Sequence, residues 1–166
     1  MPPMTRTIRT EPLRAEVFAP FGDVLDCAGA PDKIINPGLC GRWHDRAALD
    51  FDDGRAGISL FLARPRALPY ALDMVERHPN GSQAFVPMHQ HPFLVIVAPD
   101  AGGTPGTPRA FLSDGAQGIN LHRGTWHGVL TPLAEPGRFA VIDRIGPGAN
   151  LQEHWFDAPW TVLAGA

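Results

Sequence analysis

Short apolar runs with the length of β-strands, separated by turn residues, are the dominant pattern of this chain. Ile58 to Ala63 and Phe93 to Ala98 are two such runs, and a proline follows closely after each. Many short strands joined by tight turns are typical of a β-barrel or a β-sandwich. A short helix is expected ahead of Pro20, because the apolar residues before it have helical spacing. The predicted fold is therefore mainly β, with a few short helices.

Two further segments lead to predictions about how the strands connect. A short turn separates the strand Ser82 to Met88 from the strand Phe93 to Ala98, so we expect these strands to pair as a hairpin or meander. The tail from Leu151 to Leu163 is expected to contribute a closing strand, followed by a loop docked on the outside of the sheet.

A first strip of polar side chains begins at the end of the predicted strand Tyr70 to Arg77. Glu76 and His78 are two residues apart, so on an extended chain they lie on one face. A Pro-Asn-Gly turn then breaks the strand, and Gln83 begins the next one. We therefore expect a carboxylate, an imidazole and a carboxamide to converge on one small pocket.

A second strip follows about forty residues later, in the run Gly118 to His127. Asn120 and His122 are expected on one face of a strand, and a glycine turn then leads to His127. The similar layout of the two strips predicts that they face each other across a small barrel. Trp126 is expected to be a core aromatic residue that also packs against the imidazole of His127.

Composition and charge narrow the class of protein. The chain has 166 residues, which suits one domain spanning 1–166, and its 18 glycines and 18 prolines suit many turns. A net charge of -3 disfavours nucleic acid or an anionic membrane as the partner, since both select basic surfaces. No apolar segment is long enough to span a bilayer. A cytoplasmic protein that binds a small molecule is expected.

The residue types in the two strips suit either metal binding or acid and base catalysis. Imidazole nitrogen and carboxylate oxygen are common ligands of borderline divalent metals, and three protein ligands leave a position for substrate. If a metal is bound, the expected ligands are Glu76, His78, Gln83 and His127. Because Gln83 is neutral, it adds no negative charge to a metal site, which weakens metal affinity and leaves His78 or His127 able to act as a base. The alternative is a polar cluster that only satisfies its own hydrogen bonds inside the barrel.

The spacing of these residues resembles the cupin motifs, and longer blocks resemble the ureidoglycolate lyase family. The blocks that match in order and spacing, from about residue 12 to 145, are Asn36-Pro37-Gly38, Arg42 to Asp45, Glu76 to Pro79, Ser82 to Met88, Gly118 to His127 and Asp143-Arg144. The resemblance implies a cupin-like double-stranded β-barrel (jelly roll) that is usually a homodimer. It also implies cleavage of (S)-ureidoglycolate to glyoxylate and urea in allantoin degradation, with Ni²⁺ in some members and no organic cofactor.

The cleavage of a carbinolamine needs a base for its hydroxyl proton and an acid for the departing nitrogen. His78 or His127 is the expected base, and Glu76 or His122 is expected to orient it or act as the acid. The residues expected to bind the substrate are Gln83 and Asn120 for the ureido group and Arg144, ahead of Arg77 and Arg123, for the carboxylate.

Two other functions compete with this hypothesis. One is a metal-dependent cupin dioxygenase or isomerase, which needs tight metal binding at His78 and His127. The other is a non-catalytic barrel that binds a ureide or glyoxylate without turning it over, although such sensors seldom concentrate histidine and carboxylate so closely. His89 and His91 lie in a predicted turn and are left out of the site, and no role is assigned to His154.

Overall fold

The computed structural model describes residues 6–166, which form short strands and one four-residue helix. In chain order these elements are β1 (Thr7–Pro12), α1 (Ala15–Phe18), β2 (Gly22–Leu25), β3 (Lys33–Ile35), β4 (Cys40–Arg42), β5 (Arg55–Ala63), β6 (Tyr70–Arg77), β7 (Gln83–Pro87), β8 (Phe93–Ala98), β9 (Asp100–Ala101), β10 (Thr104–Pro105), β11 (Arg109–Leu112), β12 (Gly118–Leu121), β13 (Trp126–His127), β14 (Thr131–Pro132), β15 (Gly137–Ile145) and β16 (Gln152–Leu163). The mainly β prediction is confirmed. Within the described residues, no helix is long and apolar enough to cross a membrane.

The larger sheet closes on itself. Its strands pair in the order β11-β1-β16-β6-β13-β8-β14, and β11 also pairs with β8, so six strands form a ring. The strand β1 runs parallel to β11 and β16, and the other pairings in the ring are antiparallel. The predicted closed β-barrel is confirmed, and β16 supplies the closing strand expected of the tail.

The second sheet packs face to face with part of this ring. Its five strands have the order β2-β12-β7-β15-β5, and all of them pair antiparallel. Phe85, Ile119 and Val141 of this sheet form one buried cluster with Val95 and Val97 of β8. A core shared by two facing sheets is the arrangement expected of a double-stranded β-barrel.

The predicted hairpin between the strands now called β7 and β8 is wrong. The strand β7 pairs with β12 and β15 in the second sheet, whereas β8 pairs with β11, β13 and β14 in the ring. All six residues of β8 are buried: Val95 and Val97 face the cluster between the sheets, and Leu94 and Ile96 face a second cluster within the ring. A strand that is apolar on both faces needs cover on both faces, and a hairpin with β7 would not provide it.

Candidate active site

Glu76, His78 and His127 meet where β6 ends beside β13. His127 is directly opposite Glu76 in the antiparallel pairing of these strands. Each of the three side chains offers one ligand atom, and these atoms all lie within 4.8 Å of one another. The rings of His78 and His127 have centroids 5.2 Å apart and are tilted by 38°. The two polar strips therefore do meet at these residues, but as neighbours in one sheet rather than across the barrel.

Backbone carbonyls set the tautomers of both histidines. Nδ1 of His78 lies 2.8 Å from the carbonyl oxygen of Asn150, and Nδ1 of His127 lies 2.9 Å from that of Gly128. Because a carbonyl oxygen only accepts, each Nδ1 must carry the hydrogen, which leaves a lone pair on Nε2 of the neutral ring. Both Nε2 atoms are buried and have no hydrogen-bond partner among residues 6–166. They are thus available to a ligand or a proton.

Burial perturbs the acid–base behaviour of this cluster. Burial lowers the pKa of His127 to about 4, with a further decrease from the charge of His78 and a smaller opposing effect of the Gly128 carbonyl. Burial also raises the pKa of Glu76, an effect that His78 opposes and the neighbouring Glu153 reinforces. His127 is therefore neutral at physiological pH, which is the form that binds metals and accepts protons.

The three residues fit a divalent cation. Two imidazole nitrogens and one carboxylate are a frequent set of protein ligands at catalytic metal centres, where a further position stays open to substrate. The two buried Nε2 lone pairs, each fixed by a hydrogen bond at the opposite ring nitrogen, match the support that metal-binding histidines usually receive. The same groups also suit acid and base catalysis without a metal.

Gln83 faces the same space between the sheets as His127. In the ladder of the second sheet, Gln83 is directly opposite Leu121 and Asp143, and Leu121 and His127 line one cavity. The amide nitrogen of Gln83 donates a hydrogen bond of 3.1 Å to Oδ2 of Asp143. Asp143 received no role in the sequence analysis, and the only signal for it was its place in a family block.

Asn120 and His122, expected to contact the substrate, lie away from this cluster. Ile119 and Leu121 point into the core between the sheets, so the side chain of Asn120 points to the opposite face of β12. There Asn120 and Nε2 of His122 each lie 3.0 Å from Oδ2 of Asp23. The structure therefore places these two residues on the other face of β12 from the core, and Oδ1 of Asn120 is buried there without a partner among residues 6–166, so their contact with substrate stays a prediction.

The arginines expected to bind the substrate carboxylate are each paired with an acidic side chain. Nη2 of Arg144 lies 2.6 Å from Asp53, and the alternation of β15 directs Arg144 away from the face that carries Asp143. The other two candidates make comparable pairs, Arg123 with Asp50 at 2.7 Å and Arg77 with Asp100 at 2.9 Å. Arg144 is thus an ion-pair partner of Asp53, while its buried Nε has no partner among residues 6–166, and its role towards the substrate stays a prediction.

These outer-face residues hold the loop between β4 and β5 against the sheet. The backbone N–H of Ala48 donates to Asp23, and the backbone N–H of Asp50 donates to the hydroxyl of Ser82. The guanidinium of Arg123 donates to both carboxylate oxygens of Asp50 through Nε and Nη2. The backbone N–H of Gly124 also donates to the carbonyl of His78. The polar residues of the second strip, other than His127, therefore stabilise the fold around the cluster.

Asp23→Asn is expected to destabilise the protein by about 1–3 kcal/mol, because the new amide nitrogen faces groups that donate to the carboxylate. Burial acts to raise the pKa of Asp23, but hydrogen bonds from Asn120, Ala48 and His122 outweigh it and hold the pKa below 3.8. A depressed carboxyl pKa contributes stability above the unfolded value, and this contribution is lost as pH falls through the folded value.

Urea denaturation between pH 7 and pH 3 measures this effect. The difference in free energy of unfolding between wild type and Asp23→Asn should be constant down to about pH 4 and shrink below it. The matched control is Asp73→Asn, which changes an exposed carboxylate on β6. Equal stabilities of the Asp23 and Asp73 variants would contradict the role assigned to Asp23.

The remaining histidines lie outside the cluster. His89 and His91 stack with centroids 5.4 Å apart, and His89 packs edge-on against Phe139. His154 packs against Trp126 and Phe156. Trp126 is 3% exposed, as expected of a core aromatic, and its indole nitrogen donates to Asp100.

Comparison with known proteins assigns the chain to a family. The profile of the Ureidoglycolate lyase family matches residues 5–163. A protein of Rhodobacter capsulatus named ureidoglycolate lyase is 63% identical, over 92% of this chain and 95% of its own. Ureidoglycolate lyase 2 of Rhizobium meliloti is 49% identical, over 91% of this chain and 94% of its own. The ureidoglycolate lyase of Chelativorans sp. is 47% identical, over 95% of this chain and 96% of its own. The chain belongs to the ureidoglycolate lyase family.

Proposed function

We propose that this protein cleaves ureidoglycolate to glyoxylate and urea, as a lyase of allantoin degradation. The observation that supports this most directly is the convergence of Glu76, His78 and His127, with two buried Nε2 lone pairs that have no partner among the described residues. The names of the relatives agree with this function. We also propose a cytoplasmic location, because the proposed substrate is an intermediate of purine breakdown.

The chemistry requires one proton to move within the site. In the metal-free site, an Nε2 lone pair of His78 or His127 removes the hydroxyl proton of ureidoglycolate, the carbon–oxygen bond becomes the carbonyl of glyoxylate, and the carbon–nitrogen bond breaks. Where those lone pairs are engaged by a cation, the carboxylate oxygen of Glu76 that is not a ligand would take the proton instead. The same proton then passes to the departing nitrogen, which gives urea. Glu76 orients the histidines or carries the proton, and its raised pKa suits that task. No water is consumed.

A divalent cation, for which we propose Ni²⁺, would be held by Glu76, His78 and His127. When bound, it would act as a Lewis acid towards the oxygens of the substrate. The pairing of Arg77, Arg123 and Arg144 with aspartates offsets part of their positive charge, so a cation would add positive charge for the carboxylate of the substrate, which supports this proposal. Gln83 was also expected as a ligand, but we propose that its Oε1, which is buried and has no partner among residues 6–166, serves the substrate instead.

The test is the release of urea and glyoxylate from (S)-ureidoglycolate by the purified protein, with and without a chelator. We expect both products at equal rates, and a loss of rate on chelation that Ni²⁺ restores. Binding of ureidoglycolate without product formation would overturn the proposal and support the non-catalytic binding barrel. Family membership does not favour that alternative, nor a cupin dioxygenase or isomerase.

We further propose that the protein is a homodimer and that the outer face of the second sheet forms the contact. The strand β5 is the edge of this sheet, and its residues Ile58, Leu60 and Leu62 are 74%, 68% and 72% exposed. In the ladder, Leu60 lies opposite Ala140, which lies opposite the half-exposed Val86. A continuous apolar face of this kind, on a long edge strand, is suited to a symmetric contact with a second copy.

Leu60→Glu is expected to shift the protein from dimer to monomer, because two buried carboxylates would face each other across a symmetric contact. Sedimentation equilibrium measures the change in mass. Leu39→Glu is the matched control, since Leu39 is 89% exposed and lies outside this face. A wild type that is monomeric, or a Leu60→Glu variant that still dimerises with wild-type affinity, would refute the proposed contact.

A further inference from the structure

The carboxamide of Gln83 is buried and only half satisfied. The side chain is 6% exposed, and its nitrogen donates to Oδ2 of Asp143 at 3.1 Å. Its carbonyl oxygen, Oε1, is also buried, and it has no hydrogen-bond partner in the described part of the chain. A buried acceptor without a donor is costly in a folded protein, so its persistence points to a ligand that supplies the donor.

Asp143 determines which end of this amide is presented. A carboxylate has only acceptor atoms, so the amide of Gln83 must turn its nitrogen towards Asp143. Its oxygen then points away from Asp143. Without this partner, the two ends of the amide could exchange places, because they have nearly the same shape. Asp143 therefore converts an ambiguous amide into an acceptor.

The presented acceptor lies on the core face of the second sheet, the face that is turned towards His127. Gln83 is opposite Leu121 in the ladder, and Leu121 lines a cavity together with His127. The core residues Ile119 and Phe85 lie on the same face of the second sheet. Gln83 therefore belongs to the sheet that faces His127, and we infer that its Oε1 is within reach of a small molecule bound at the two histidines.

We propose that Asp143 is a positioning residue that fixes Gln83 as a hydrogen-bond acceptor, and that this acceptor selects substrates with a terminal –NH₂ on the ureido group. The inference rests on the proposed function and goes beyond it by naming the group of the substrate that is recognised. A terminal –NH₂ supplies the missing donor, whereas a methyl group in its place leaves Oε1 buried and unpaired. A site with a committed buried acceptor discriminates strongly against an analogue that lacks the donor.

Two non-reactive analogues isolate this contact. Ureidoacetate retains the carboxylate and the ureido group but lacks the hydroxyl that must be deprotonated, and acetamidoacetate differs from it only by a methyl in place of the terminal –NH₂. The inhibition constants of both are measured against cleavage of ureidoglycolate. We expect wild type to bind ureidoacetate about tenfold more tightly than acetamidoacetate, the ratio that one buried hydrogen bond provides.

Asp143→Asn is the informative variant, because an asparagine can donate to Oε1 and release the amide from its fixed orientation. We expect the tenfold preference to fall to about twofold or less. In the double variant Gln83→Glu with Asp143→Asn, the donor and acceptor roles are exchanged, and a carboxylate oxygen again faces the ligand. We expect this reversal to restore the preference for ureidoacetate.

Two outcomes would overturn the inference. One is a wild type that binds both analogues equally, and the other is an Asp143→Asn variant that keeps the full preference, including one whose affinity for both analogues falls by the same factor. The double variant keeps the test decisive if Asp143→Asn alone does not fold. A wild type that forms no urea would overturn the proposed function instead, and the preference would then be measured by chemical-shift titration with the two analogues.

Discussion

His127→Ala is expected to lower kcat/KM for ureidoglycolate by roughly 10³-fold, within the range typical of losing a general acid–base group. The reason is that the variant removes one of the two buried Nε2 lone pairs and one of three ligand atoms that lie within 4.8 Å of one another. His78→Ala should have an effect of the same order, since its Nε2 is buried in the same way. Initial rates of urea release measure both.

His44→Ala is the matched control for these variants. His44 is exposed, and its backbone N–H rather than its ring donates to Asp32, so the loss of its imidazole should leave kcat/KM unchanged. Thermal unfolding establishes that the variants of the buried His127 remain folded. A folded His127→Ala protein with more than a tenth of the wild-type kcat/KM would contradict the role given to this residue.

Glu76→Gln is expected to weaken Ni²⁺ binding and kcat/KM by about 100-fold each, because a neutral amide of the same size replaces the only carboxylate of the cluster. Isothermal titration with Ni²⁺ after chelator treatment measures the affinity, and urea release measures the rate. A folded variant that keeps the wild-type affinity for Ni²⁺ would show that Glu76 is not a ligand.

Glu153→Gln is the matched control for Glu76. Glu153 lies opposite Glu76 in the pairing of β16 with β6, and it is exposed. Its charge contributes to the raised pKa of Glu76, so its removal should lower that pKa without removing a ligand. We expect less than a twofold change in Ni²⁺ affinity for this variant. Comparison of the Glu76 and Glu153 variants shows whether Glu76 acts as a metal ligand or only through its charge.

The mainly β architecture was predictable from sequence because turn residues and strand-length apolar runs are local signals. The pairing of the strands was less predictable. The strand β8 lies in the ring, with Leu94 and Ile96 buried on one face and Val95 and Val97 buried on the other. Its short connection to β7 had suggested a hairpin instead. A turn determines that the chain reverses, but it does not determine which sheet the next strand joins.

The cluster of Glu76, His78 and His127 was predictable in composition but not in arrangement. Period-two spacing places Glu76 and His78 on one face, yet the register that sets His127 beside Glu76 depends on distant parts of the chain. The outward direction of the Asn120 side chain could have been inferred from the sequence. Its apolar neighbours Ile119 and Leu121 identify the core face of that strand, so the intervening amide had to point the other way.

The partners of the arginines could not be inferred from sequence. Asp50 and Asp53 come from the loop between β4 and β5, and Asp100 comes from the short strand after β8. These pairs join residues that are far apart in sequence, and a guanidinium suits a substrate carboxylate as well as it suits an aspartate. Only the packing of the loop shows that Arg144 is already engaged by the protein itself.

Histidine side-chain ¹⁵N NMR of the metal-free protein tests the central claim most directly, namely that the Nε2 lone pairs of His78 and His127 face the space where the substrate binds. The hydrogen bonds to the carbonyls of Asn150 and Gly128 predict the Nδ1–H tautomer for both rings. Addition of ureidoacetate should then shift the Nε2 resonances of these two histidines and leave that of His122 unchanged. An Nε2–H tautomer at either ring, or a response of His122 in place of the other two, would contradict the account.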